Sequence, residues 1–145
     1  MTISSQTLTA ALPQPQPDDS AQRLLLFGIR QIGANGLDDA CAAHAFVTAF
    51  GKDFRRALLL LRTLMMELSA TSVRPIQIAP WCCRRMTPAE AALLAVTAKA
   101  TGNPRAAGLL LADLLGVRSA AGPLATATAL AGAFADLGMP LGSPG

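Results

Sequence analysis

Residues 86–116, MTPAEAALLAVTAKATGNPRAAGLLLADLLG, contain two helix starts in full. In Thr87-Pro88-Ala89-Glu90, threonine takes the N-cap. Proline takes the first helical position, where its missing N–H is not needed, and glutamate takes the third, from which it reaches back to the cap. This predicts a helix from Pro88 to about Ala100. Asn103-Pro104 repeats the device and opens a helix through Leu109, Leu110, Asp113 and Leu114 that stops at Gly116. Two capped helices in succession set the class as all-α.

Working outward, Pro123 opens a last helix that ends at Gly138. Upstream, Ser20 is expected to cap a first helix through Leu24, Leu25, Phe27, Gly28 and Ile32, stopped by Gly33 and Asn35-Gly36. Asp38 caps a second helix that ends at Gly51. Asp53 opens a third, with Phe54, Leu58, Leu61, Met65 and Leu68 on one stripe at helical spacing. Leu59, Leu60 and Met66 lie off that stripe, which predicts burial of this helix on more than one side. Between Ser72 and Met86 the helical pattern fails, and Val73, Pro75, Ile76, Ile78 and Pro80 favour extended chain. The expected fold is a compact bundle of five to six short helices with one extended connection that carries proline and cysteine.

A chain of 145 residues suits one domain. Residues 1–19 include Pro13-Gln14-Pro15-Gln16-Pro17 and read as a disordered Pro/Gln-rich arm; residues 20–139 read as the helical domain and 140–145 as a loose tail. The chain is 52% hydrophobic but only 4% aromatic, so alanine and leucine supply most of the apolar surface and favour closely packed helices. Ten of the twelve basic residues are arginine and tyrosine is absent, which points to compositional bias as readily as to guanidinium chemistry. Three cysteines make no disulfide framework and the N-terminus lacks a secretory pattern, so a cytoplasmic location is expected. The longest uncharged stretch, Ser119 to Ala135, is diluted by Gly, Thr and Ser, so no membrane span is expected.

Chemistry concentrates in Ala79-Pro80-Trp81-Cys82-Cys83-Arg84-Arg85-Met86, where two cysteines adjoin the single tryptophan and an arginine pair. Flanking guanidinium groups favour the thiolate, the reactive and metal-binding form. Cys41 and His44, three apart on the second helix, share a face opposite the apolar Ala43, Phe46, Val47 and Phe50. If the loop folded over them, Cys41, His44, Cys82 and Cys83 would form a tetrahedral site for zinc, or hold iron, although adjacent cysteines are not the usual chelate. The competing expectation is that Trp81 seats in a groove and holds the loop, while Cys41 packs as a small hydrophobe. Redox sensing or a vicinal disulfide is a further use of the pair.

Lys52, Arg55, Arg56, Arg62, Arg74, Arg84 and Arg85 form a local basic excess opposed by Asp53 and Glu67. Arg55, Arg56, Arg62, Arg84 and Arg85 are therefore candidates for contact with an anion, a nucleic acid or an acidic partner; the alternative is a solvated face that keeps an apolar chain in solution. Specific DNA readout is not expected, because the segment after Asn103 is apolar where a recognition helix needs base-reading groups. No Walker loop, nucleophile elbow or zinc-protease pair is present, and one histidine leaves little acid–base material.

Gly36-Leu37-Asp38-Asp39-Ala40, Phe50-Gly51, Phe54-Arg55-Arg56 and Cys82-Cys83-Arg84-Arg85-Met86-Thr87 together resemble a small bacterial family of unknown function, over roughly residues 20 to 100. The resemblance implies a small helical protein and carries no activity or ligand. The expected function is contact with a protein partner or with itself. Ala127, Ala131 and Ala135, at four-residue spacing on the last helix, would let another helix approach closely, as in a homodimer. The rivals are a metal- or redox-responsive protein that uses Cys82 and Cys83 with Cys41 and His44, and a binder of nucleic acid or other anions through its basic face.

Overall fold

The computed structural model describes residues 14–142, and the first thirteen residues of the expected arm and the last three of the tail lie outside them. Six α-helices follow in order: α1 Ser20–Asn35, α2 Ala40–Phe50, α3 Arg55–Thr71, α4 Pro88–Lys99, α5 Pro104–Leu115 and α6 Ala121–Asp136. Two-residue strands, β1 Gln14–Pro15 and β2 Arg85–Met86, pair antiparallel, Gln14 opposite Met86 and Pro15 opposite Arg85. The all-α bundle is as expected, and the described end of the arm is a clip on the extended connection.

The two decisive helix starts form as their sequences dictate. Thr87 accepts from the Glu90 amide while the Glu90 side chain accepts from the Thr87 amide, a complete capping box. Asn103 caps α5 through the amide of Ala106, and Gly116 ends that helix with φ of 73°. Elsewhere the caps shift by one residue. Asp19, not Ser20, accepts from the Gln22 amide at 2.9 Å, and Asp39, not Asp38, accepts from the Ala42 amide at 2.8 Å. A carboxylate at the positive end of a helix is favoured over an adjacent hydroxyl or an acid one residue too early. Asp53 falls in a single 3-10 turn, Gly51–Asp53, and α3 starts from Phe54 without a side-chain cap. Gly33 stays helical within α1, and the turn comes at Gly36, where φ is 106°.

The most extensive helix pair is α3 with α6, followed by α4 with α5; α4 also meets α6, and α1 packs on α2, α3 and α4. One buried cluster runs from Ala21 to Leu141. At its centre Phe46, Phe50 and Phe134 meet edge to face, with ring centroids 5.1–5.8 Å apart, the arrangement that the ring quadrupoles prefer. Gly28 lets this cluster close on α1: a Cβ there would lie 2.6 Å from Leu61 Cδ2 and 3.2 Å from Phe46 Cε1.

The expectation that α3 is buried on more than one side is corrected. Leu59 and Met66 are 63% and 53% exposed, so α3 is buried on its Leu58–Leu61–Leu64–Leu68 side and open on the other. On α6, Ala127 and Ala131 are buried within the chain and Ala135 is exposed. The expected tail is anchored at Leu141, which is buried and whose carbonyl accepts from Gln22 Nε2 at 3.2 Å. Among the described residues no helix is long and apolar enough to cross a membrane.

Candidate functional site

The extended connection is organised around a buried ion pair that joins α1 to the first turn of α4. Arg30, 2% exposed, donates through Nε to Glu90 Oε2 at 2.8 Å and through Nη2 to Glu90 Oε1 at 3.1 Å, a fork against a fork. The guanidinium has further work. Its Nη1 donates to the Cys83 carbonyl at 2.7 Å and its Nη2 to the Arg85 carbonyl at 2.8 Å. Glu90, fully buried, also accepts from the Ala79 amide at 3.1 Å and the Thr87 amide at 2.9 Å. A pair so deep in the protein is tolerated only when its remaining donors and acceptors are satisfied, and the loop backbone supplies those partners.

The loop from Ala79 to Thr87 is thereby held at both ends and in the middle. Cys83 N donates to the Pro80 carbonyl at 3.0 Å and closes a tight turn. Gln16 clips the outside of the loop, with its amide donating to the Arg84 carbonyl at 3.0 Å and its side chain to the Cys83 carbonyl at 2.6 Å. Thr87 Oγ1 donates to the Gln77 carbonyl at 2.7 Å. Backbone is fixed and side chains face out: Trp81 is 66% exposed, Cys82, Arg84 and Arg85 are exposed, and Cys83 is half-buried with Sγ 3.2 Å from the Arg85 carbonyl. The expected role of Trp81 as the buried anchor is corrected; Arg30 and Glu90 anchor the loop, and the indole is what the loop presents.

Sequence reading missed Arg30. Its signal is a single charge in the apolar run of α1, in register with Leu26 one turn before it and Gly33 one turn after. Glu90 was legible as a cap but not as a counter-ion, because its partner lies 60 residues away.

The other candidates are spread over the molecule. Cys41 and His44 are exposed on α2, and among the described residues no three side chains of His, Cys, Asp or Glu come together as a metal site would require. The structure does not bring Cys41 and His44 onto Cys82 and Cys83. Of the arginines, Arg56 pairs with Asp136 at 3.1 Å at the exposed end of α6, a contact of small worth in water. Arg55 and Arg62 share a face of α3 with the exposed Leu59 and Met66, so the stripe there alternates charged and apolar groups. Arg84 and Arg85 stand apart from these, on the loop.

The chain belongs to a family of unknown function (DUF6628), whose profile matches residues 1–138. That match extends the resemblance of residues 20 to 100 over both ends of the helical region. No curated protein and no solved structure matches the chain.

Proposed function

We propose that the protein is a non-catalytic interaction module that binds a protein partner through the Pro80–Arg85 loop. The single observation that carries this is the 66% exposure of Trp81 on a backbone locked by the buried Arg30–Glu90 pair. A large indole left in water gives little to the isolated chain, yet tryptophan and arginine dominate the energy of protein interfaces. Rigidity adds to this, since a loop already ordered pays less entropy on binding. Arg84 and Arg85 beside the indole favour an acidic rim on the partner, which would steer the encounter more than tighten it.

The test compares co-purification by the full-length chain and two variants, Trp81→Ala and Leu109→Ala. Leu109 on α5 is as exposed as Trp81, so it controls for loss of any large apolar surface group. A partner retained by Leu109→Ala and lost by Trp81→Ala supports the loop as the contact. Equal retention by both variants refutes it.

A further inference from the structure

The partner contact makes no use of the two adjacent thiols of the loop. Cys82 is exposed, while Cys83 is half-buried and its thiol donates to the Arg85 carbonyl at 3.2 Å. Both are free, and the remaining cysteine, the exposed Cys41, lies on α2. The backbone around the pair is held unevenly. Arg30 fixes the Cys83 and Arg85 carbonyls and Gln16 the Cys83 and Arg84 carbonyls, all on the C-terminal side of the peptide that joins the two cysteines. Among the described residues that joining peptide is tied by one bond, from the Cys83 N–H to the Pro80 carbonyl at 3.0 Å. The same bond closes the turn on which the exposed Trp81 stands.

We propose that Cys82 and Cys83 are a peroxide-oxidised dithiol, Cys82 the sulfur attacked and Cys83 the sulfur that resolves it, whose reversible disulfide opens the Pro80–Cys83 turn and moves Trp81. The exposed sulfur is the one an oxidant reaches, and the covalent link keeps the second sulfur beside it. Hydrogen peroxide converts the Cys82 thiolate to a sulfenic acid, the S–O bond forming as the O–O bond breaks and hydroxide leaves. The Cys83 sulfur then attacks the Cys82 sulfur, and the sulfenic oxygen departs as water with the Cys83 proton. In sum, two thiols give up two electrons and two protons, and one peroxide becomes two waters. Adjacent Cα atoms stand about 3.8 Å apart across a trans peptide, whereas disulfides usually span about 4.4–6.8 Å. Closing this ring therefore twists the joining peptide and leaves a strained bond that thiols reduce easily. The twist breaks the bond to Pro80 and withdraws Cys83 Sγ from Arg85, while the carbonyls beyond stay with Arg30 and Gln16. This chemistry holds whether or not the loop binds a partner.

The experiment treats the full chain carrying Cys41→Ser, an exposed position on α2, with an equimolar amount of hydrogen peroxide, and follows mass and indole fluorescence. The expected product is about 2 Da lighter, the loss of two hydrogens. It has no free thiol, maps to a Cys82–Cys83 disulfide within one chain, and is returned to the starting state by dithiothreitol. Its indole emission shifts while its helical circular dichroism is unchanged. With Cys83→Ser added, Cys82 should stop at a sulfenic acid that dimedone traps. With Cys82→Ser instead, Cys83 should stay reduced over the same period. The proposal is overturned if peroxide leaves both thiols intact, if a Cys82 sulfenic acid persists beside an unreacted Cys83 thiol, or if the disulfide joins two chains. Equal loss of the Cys83 thiol with and without Cys82 overturns the assignment of roles, and a disulfide that leaves the indole emission unchanged overturns the opening of the turn.

Discussion

Replacing Glu90 with alanine should be among the most damaging single changes to this chain. The substitution removes both acceptors from the Arg30 fork and leaves a guanidinium charge at 2% exposure. Breaking a buried pair from one side costs about 3–5 kcal/mol. It also removes the reciprocal half of the α4 capping box and the acceptor of the Ala79 amide, for about 1 kcal/mol more. The sum, about 4–6 kcal/mol, is a large share of the roughly 5–15 kcal/mol that holds a domain folded. At about 2–4 °C per kcal/mol for a chain of this size, the melting temperature should fall by roughly 8–24 °C. Urea denaturation followed by circular dichroism measures the cost, and the fluorescence anisotropy of Trp81, the only tryptophan, reports the loop. The double variant Arg30→Met, Glu90→Leu should recover part of the loss, because neither charge is then buried alone, but not all of it. The Cys83 and Arg85 carbonyls would still have lost the Arg30 donor. A Glu90→Ala protein within about 1 kcal/mol of wild type would refute the assignment, since a charge truly desolvated at that site costs several times more.

Two further outcomes follow from the same geometry. Gly28→Ala should destabilise the protein by about 1–2 kcal/mol despite the better helix former, because overpacking at Leu61 and Phe46 costs about 1–3 kcal/mol against a gain of about 0.5–1 kcal/mol; Leu61→Val should relieve it, and a raised melting temperature for Gly28→Ala alone would contradict the close approach. With a thiol reagent, Cys41 and Cys82 should react quickly and the half-buried Cys83 slowly, and all three quickly in Glu90→Ala; three indistinguishable rates in wild type would show that the loop is not held closed.

The helices were legible because their signals are local. Thr87, Pro88 and Glu90 lie within one turn, and a cap is an interaction between near neighbours that a sequence displays directly. The cap shifts to Asp19 and Asp39 show the limit of that view, since two adjacent polar residues differ only in which one the rest of the chain places at the helix entry. Exposure of Leu59, Met66 and Trp81 was not legible. Side-chain chemistry favours burial for each, and only the positions of other helices decide whether a neighbour arrives. The loop anchor was hidden for the opposite reason. Arg30 looked like one more member of an arginine-rich composition, and its partners are carbonyls and a carboxylate supplied from residues 83–90, beyond the reach of any local pattern.

The hydrogen bond from Gln22 to the Leu141 carbonyl spans 119 positions of sequence, so the first helix and the end of the described chain are neighbours in space. The contacts of α1 with Leu141 and with residues 83–90 close long loops, whereas its contact with α2 and the α4–α5 contact close short ones. A circular permutant that joins residue 142 to residue 20 through a short linker and opens at the exposed Thr101–Gly102 turn would turn that longest closure into a local one. It would keep the helical core while changing the sequence of its assembly.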